Sequence, residues 1–264
     1  MIDNKPGGGM VIGSNAVAQS EPDGHTLMNA PGGAYVINTT LYKKLPYDPK
    51  QDFVPISFYA RIPFVLVVNP ALPVNNVKEL IQYSKDNPGK LSYAASTIGA
   101  VIHLAGEMLK HDGGLNMVMV PYKQGGPAAL NDVVAGHVPV TFADPSLVKG
   151  LIEAGKIRAI GVSSKTRMPS LPDVPTLHES GVPGFEAESW HMVVAPGKTP
   201  KPVVDKLVAE FKAITEQPAV NQRMLQLGLI PQKASSVEEM QKFMASEDKR
   251  WGDIIRKSGI AGTL

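Results

Sequence analysis

The sequence contains no cysteine. That removes disulfides, zinc–thiolate sites and cysteine nucleophiles together. No stretch approaches the roughly 18 consecutive apolar residues that a membrane-spanning helix needs. A basic run is missing too: 26 Lys and Arg are balanced by 24 Asp and Glu, giving a formal net charge of +2. Without a basic stripe interleaved with aromatics, nucleic acid is not expected as a partner. The opening residues, MIDNKPGGGMVIG, lack a basic stretch followed by an apolar core, so no signal peptide is expected in this chain.

Enzyme signatures are equally scarce. Neither G-x-S-x-G nor H-E-x-x-H occurs, and no two of the six histidines have metal-ligand spacing. GLIEAGKI (150–157) has the outline of a phosphate loop, but Ile157 stands where a Ser or Thr would hold magnesium. Its Gly155 reads better as the glycine that ends a helix. PGGGMVIG (6–13) has the spacing G-x-G-x-x-x-G with no strand before it, unlike a dinucleotide loop. SLVK (146–149) is an S-x-x-K of the kind common by chance. No catalytic residue is expected.

What is present is a 264-residue chain with 43% apolar and 19% charged residues, enough for one large packed domain or two small ones. Strand-like segments fall at 25–30, 53–60, 64–69, 91–95, 117–120, 139–143, 157–163 and 190–195. Many are apolar throughout, the pattern of strands buried on both faces in parallel sheets. Amphipathic helices are expected at 77–85, 101–109 and 202–214, and Ser236 with Glu239 forms a capping box that opens the last helix. Alternating strands and helices predict an α/β fold.

The Pro/Gly-rich stretch 165–189 reads as a surface excursion or an interdomain crossing, and 60–70 as a second crossing. Two crossings predict one lobe from residues 1–64 and 189–264 and another from 65–188.

Three loops carry anion-binding chemistry. YAASTIGAVIHLAGEML (93–109) reads as strand, small polar turn and helix, with Ser96, Thr97 and Gly99 in the turn and His103 in the first helical turn. Free N–H groups at a helix start carry partial positive charge and can hold a carboxylate. The alternative is an ordinary N-cap by Ser96 or Thr97, with His103 bonded to Glu107. NAPGGAYVINTTLY (29–42) places Gly32 and Gly33 between a strand and a helix. VPYKQGGPAALNDVVAGHVPVTFADP (120–145) places Gly-Gly-Pro before another helix and Asp144 at a strand end. Loops at strand carboxyl ends are where open α/β sheets bind ligands. Turn geometry for the glycines and helix capping for Asp144 are the competing explanations.

STIGAVIHLAGEML, VPYKQGGPAALNDVVAGHV, IRAIGVSSKTRMPSLPDVPTLHESGVPGFEAESW and NKPGGGMVIGSNAVAQSEPDGHTL together resemble the substrate-binding proteins of the tripartite tricarboxylate transporters, also called Bordetella uptake gene proteins. The resemblance covers nearly the whole chain. It implies a type II periplasmic binding fold: two lobes, each a sheet flanked by helices, with a ligand cleft between them. It further implies a periplasmic monomer without a cofactor that captures a small organic carboxylate for the transporter's membrane subunits. A ligand-sensing partner of a membrane sensor could use the same fold. Carried over by position, the implied contacts are Gly32, Gly33, Ala34, Tyr35, Asn38, Ser96, Thr97, Gly99, His103 and Asp144. The family pattern begins with a strand, a small-residue ligand loop and a helix. This chain is expected to start after all of them, and to bind weakly or not at all for want of that unit. Gln124 stands where the family often has Gly.

Overall fold

The computed structural model describes residues 1–5 and 7–264; Pro6, within the glycine-rich NKPGGGM segment, lies outside the described residues. In chain order the elements begin α1 (Val11–Ala18), β1 (Met28–Pro31), α2 (Asn38–Leu41), β2 (Phe53–Pro63), β3 (Val65–Val68) and α3 (Val77–Asp86). They continue β4 (Leu91–Ala95), α4 (Val101–Gly113), β5 (Met117–Pro121), α5 (Gly126–Val134), β6 (Val140–Ala143), α6 (Pro145–Glu153) and β7 (Arg158–Val162). The chain ends with β8 (Glu188–Pro196), α7 (Lys201–Thr215), α8 (Pro218–Gln226), β9 (Ile230–Pro231) and α9 (Val237–Lys257). None of the described helices is long and apolar enough to cross a membrane.

The chain divides into two compact units: Met1–Arg61, Ser189–Met224 and Ile230–Leu264 make unit 1; Ile62–Glu188 and Leu225–Leu229 make unit 2. Unit 1 is built on a sheet of order β1-β8-β2-β9. Its β1 runs antiparallel to β8, and β9 antiparallel to β2. Along β8 the side chains alternate between two layers. Val193 and Ala195 join Ile56 and Val204 under α7, while Trp190 meets Tyr35, Phe58 and the α9 residue Phe243 on the other face. The capping box of α9 is present: Ser236 Oγ accepts from Glu239 N–H, and the Glu239 carboxylate accepts from Ser236 N–H.

Unit 2 has a sheet of order β5-β4-β6-β3-β7. Here β4 runs parallel to β5 and β6, while β3 is antiparallel to both β6 and β7. The parallel reading of the apolar strands therefore holds for β4 with β5 and β6 and is corrected for β3. Burial on both faces makes a strand apolar whatever its direction, so β3, fully buried as VLVV, looks the same either way. Adjacent residues of β4 face opposite layers. Ala94 packs with Ala129, Leu130 and Val133 of α5, whereas Tyr93 lies under α4. Gly106 makes that approach feasible, since a methyl group there would come within 2.1 Å of the Tyr93 ring.

Of the two readings of 165–189, the surface excursion is corrected: Met168, Leu177, Val182 and Phe185 are buried, and Phe185 stacks on Phe142 of β6 at 6.1 Å. Its backbone is tied to the sheet through Leu177 N–H to Val162 O and Ala187 N–H to Ser163 O. A helix, α1, stands between the glycine-rich segment and β1. Gly155 does end α6: its φ is +64°, and Lys156 N–H reaches back to Leu151 O at 2.9 Å.

Candidate functional site

In unit 2 the carboxyl ends of β4 and β5 lie side by side, with Ala95 opposite Pro121 in the parallel register. Tyr122 N–H extends this pairing to Ala95 O at 2.8 Å and Ser96 O at 3.1 Å. The two loops that follow, 96–100 and 122–125, are thereby fixed as neighbours. Each leads into a helix whose start has no side-chain cap. Ala100, at the N-cap of α4, has no side-chain acceptor to offer, and Gly125, before α5, has no side chain. The other helices of this unit differ. Asn76 accepts from Glu79 N–H at the start of α3, and Asp144 accepts from Ser146 N–H at the start of α6. Uncapped first-turn N–H groups carry partial positive charge and suit a carboxylate. Because β4 connects to β5 on one side and β5 returns to β6 on the other, their helices lie on opposite faces. The point where α4 and α5 diverge is the crevice that open α/β sheets use for ligands.

The capping alternative for Ser96 and Thr97 is not what the loop does, since α4 begins at Val101. Ser96 is half-buried and Thr97 exposed. Gly99 has φ +82°, and its N–H donates to His103 Nδ1 at 3.0 Å. Gly99's amide is thus already occupied, and His103 is buried, 4% exposed, under its own loop. His103 Nε2 stands 3.9 Å from Glu107, beyond hydrogen-bond distance. Glu107 accepts instead from Tyr93 OH at 2.7 Å and from Lys110 Nζ at 2.9 Å. Burial holds the His103 pKa below the ordinary histidine value; Glu107 opposes that shift and Lys110 adds to it. The same surroundings push the Tyr93 hydroxyl up, by burial first and by donation to Glu107 second. Beside them Tyr122 donates to Asp132 at 2.6 Å, and burial together with that bond pushes the Tyr122 pKa up to about 12. Asp144 is spent as a cap, with Oδ1 also accepting from Ser146 Oγ at 2.6 Å. Its charge sits at the α6 start where an anion would otherwise go.

In unit 1, Gly32, Gly33 and Ala34 form a buried single turn. Turn geometry does not explain Gly32. A methyl there would stand 2.3 Å from the Trp190 ring, so this glycine marks a close approach to an aromatic. Tyr35 stacks on Trp190 at 5.8 Å and donates to Met192 O at 3.2 Å. Asn38 donates to Gly9 O at 2.9 Å, and Tyr47 OH donates to Ala34 O at 2.8 Å. These side chains are committed within the protein, and what the loop offers is backbone. Sequence reasoning missed its neighbour. Gly7, Gly8, Gly9 and Met10 all have positive φ, and Met10 is the non-glycine residue with that conformation among the described residues. A methyl on Gly33 would come 2.9 Å from Met10 Cε, so the 7–10 segment lies against 32–34. The triple glycine was the signal, set aside with the dinucleotide motif it fails to match.

Beyond Trp190, which covers Gly32, lies a buried carboxylate. Glu247 Oε2 accepts from Trp190 Nε1 at 3.1 Å and from Trp251 Nε1 at 3.0 Å, and Arg250 reaches Oε1 at 3.1 Å.

Two sheets of buried strands flanked by helices are the α/β architecture of the periplasmic binding proteins. The family described as tripartite tricarboxylate transporter family receptor matches residues 1–260, and this chain belongs to it. BugT of Bordetella pertussis is 32% identical over 98% of this chain and 79% of its own length. A Pseudomonas sp. protein from the tcbD–tcbE intergenic region is 38% identical over 97% of this chain and 75% of its own. Among solved structures, an R. palustris protein with adipate superposes with a TM-score of 0.91 at 35% identity, covering 99% of this chain and 87% of that one. MatC of Rhodopseudomonas palustris, with bound malate, gives 0.82 at 28% identity over 94% and 85%. The family and its structural neighbours are substrate-binding proteins rather than enzymes.

Proposed function

We propose that the protein is an extracytoplasmic solute-binding protein that captures a small organic carboxylate and presents it to the membrane subunits of a tripartite tricarboxylate-type transporter. The observation that carries this reading is the pair of uncapped helix starts, α4 and α5, side by side at the ends of β4 and β5. In the same family, one solved relative holds adipate and another malate. The first-turn amides of α4 and α5, with the hydroxyls of Ser96 and Thr97, would hold one carboxylate. Within unit 1, the backbone of Gly32, Gly33 and Ala34 would offer amides of the same kind. Tyr35, Asn38, Gly99 and His103 would act by shaping these loops, and Asp144 by capping α6 away from the ligand.

The test is a thermal-shift screen of mono-, di- and tricarboxylates followed by calorimetry. A ligand that binds only the folded state stabilises it by about 2.7 kcal/mol at 100 times its Kd. The bound compound should be recovered unchanged. Failure of every carboxylate to shift the melting temperature would overturn the ligand class. Uptake that is indifferent to deletion of the membrane subunits would overturn the transport role.

A further inference from the structure

His103 has no exposed ring edge to offer a ligand, yet its ring makes a hydrogen bond within the loop proposed to hold one. Nδ1 accepts the N–H of Gly99 at 3.0 Å, four residues back across the turn. Gly99 has φ +82°, a conformation that side chains rarely adopt, and Ala100 N–H closes the same turn on Thr97 O at 3.1 Å. We propose that His103 is a positioning residue whose neutral imidazole clamps the 96–100 turn, so that the grip on carboxylate loosens when the ring is protonated. A protonated imidazole carries hydrogen on both nitrogens. Its Nδ1–H would then confront Gly99 N–H, donor against donor, and the turn would have to open.

The charged and titratable groups facing this ring are few. From α4 they are Glu107, 3.9 Å from Nε2, and Lys110, which pairs with Glu107. From β4 there is the Tyr93 hydroxyl, which donates to His103 O at 3.3 Å and to Glu107. Glu107 would favour the protonated ring, but two donors already hold it, and burial of the ring works against protonation. The clamp is therefore closed at neutral pH and opens on the acid side. The effect on the ligand rests on the carboxylate-binding reading; the clamp itself does not.

The experiment follows the Gly99 amide in the ligand-free protein by hydrogen-exchange NMR, beside calorimetry with malate and adipate as probes. His103→Asn places an oxygen where Nδ1 stands and cannot take up a proton. His103→Ala removes the acceptor. At about pH 7.5, Gly99 protection should be about tenfold lower in His103→Ala than in wild type and restored in His103→Asn. Lowering the pH stepwise below about 6.5 should reduce protection in wild type and leave His103→Asn unchanged. Affinity for whichever probe binds should follow the same pattern. Identical pH responses of wild type and His103→Asn would overturn the clamp, even if the alanine variant fails to fold. If neither probe binds wild type, the ligand class is wrong, and the amide measurement still decides the role of His103.

Discussion

The two sets of candidate loops are built on opposite plans. In unit 2 the 96–100 and 122–125 loops follow directly from local chain order: strand, short turn, helix with a small residue at its start. In unit 1 the 32–34 turn is held by residues far away in sequence: Trp190 over Gly32, Tyr35 on Met192, Tyr47 on Ala34. The first plan leaves backbone amides at the surface of a rigid sheet edge. The second uses nearly every polar side chain near the turn to fix the turn itself. Substitutions should therefore cost stability in unit 1 and binding in unit 2.

The largest effect tests the unit 1 half of that contrast. Trp190→Ala removes a fully buried indole from between Tyr35, Phe58 and Phe243, and should destabilise by about 4 kcal/mol in chemical denaturation. A loss under about 1 kcal/mol would mean that the aromatic stack does not hold the 32–34 turn. Glu247→Leu should cost about 3 kcal/mol, because two buried indole N–H groups lose their acceptor. Glu247→Gln, which keeps an acceptor oxygen, should recover part of that; equal losses would assign the effect to charge instead.

The unit 2 half is sharpened by gentler changes. Gly99→Ala forces a side chain into positive φ and should cost about 1 kcal/mol in stability. Its affinity for a carboxylate should fall more than its stability, which calorimetry beside denaturation would show. Asp144→Ala should also cost about 1 kcal/mol, as the loss of a helix cap, with affinity unchanged. A large loss of affinity there would return Asp144 to the ligand contacts. The smallest effect is a pH slope. The folded His103 pKa lies below the ordinary 6.5, so between 6.5 and that lower value the unfolded chain binds a proton that the folded protein does not. Stability should fall as pH drops through this window and level off above it. His103→Asn should flatten that part of the profile.

The same contrast explains what could be read from the chain. The helices at 77–86, 101–113 and 201–215 and the capping box at Ser236 were legible because their signals are local: an apolar stripe, or paired side chains at fixed spacing. Helix α1, VIGSNAVA, was not, because it is short, and Gly13, Ser14 and Asn15 among its small residues leave no apolar stripe. The two-residue strand β9 offers no period to detect. That Gly32 answers to Trp190 depends on a contact spanning 158 positions, which no local pattern encodes. The Gly99–His103 bond was within reach, four residues apart, but the obvious partner at that spacing was Glu107.

The shared acceptor at Glu247 has a spectroscopic consequence. The chain has two tryptophans, and both indoles donate to the same carboxylate oxygen inside unit 1. Intrinsic tryptophan emission is therefore a reporter of one unit alone. It should be blue-shifted by the buried setting of the rings, and it should move when α9 leaves the sheet. Unit 2, which has no tryptophan, is dark at tryptophan wavelengths. Melting followed by fluorescence and melting followed by far-ultraviolet dichroism would coincide only if the two units unfold together.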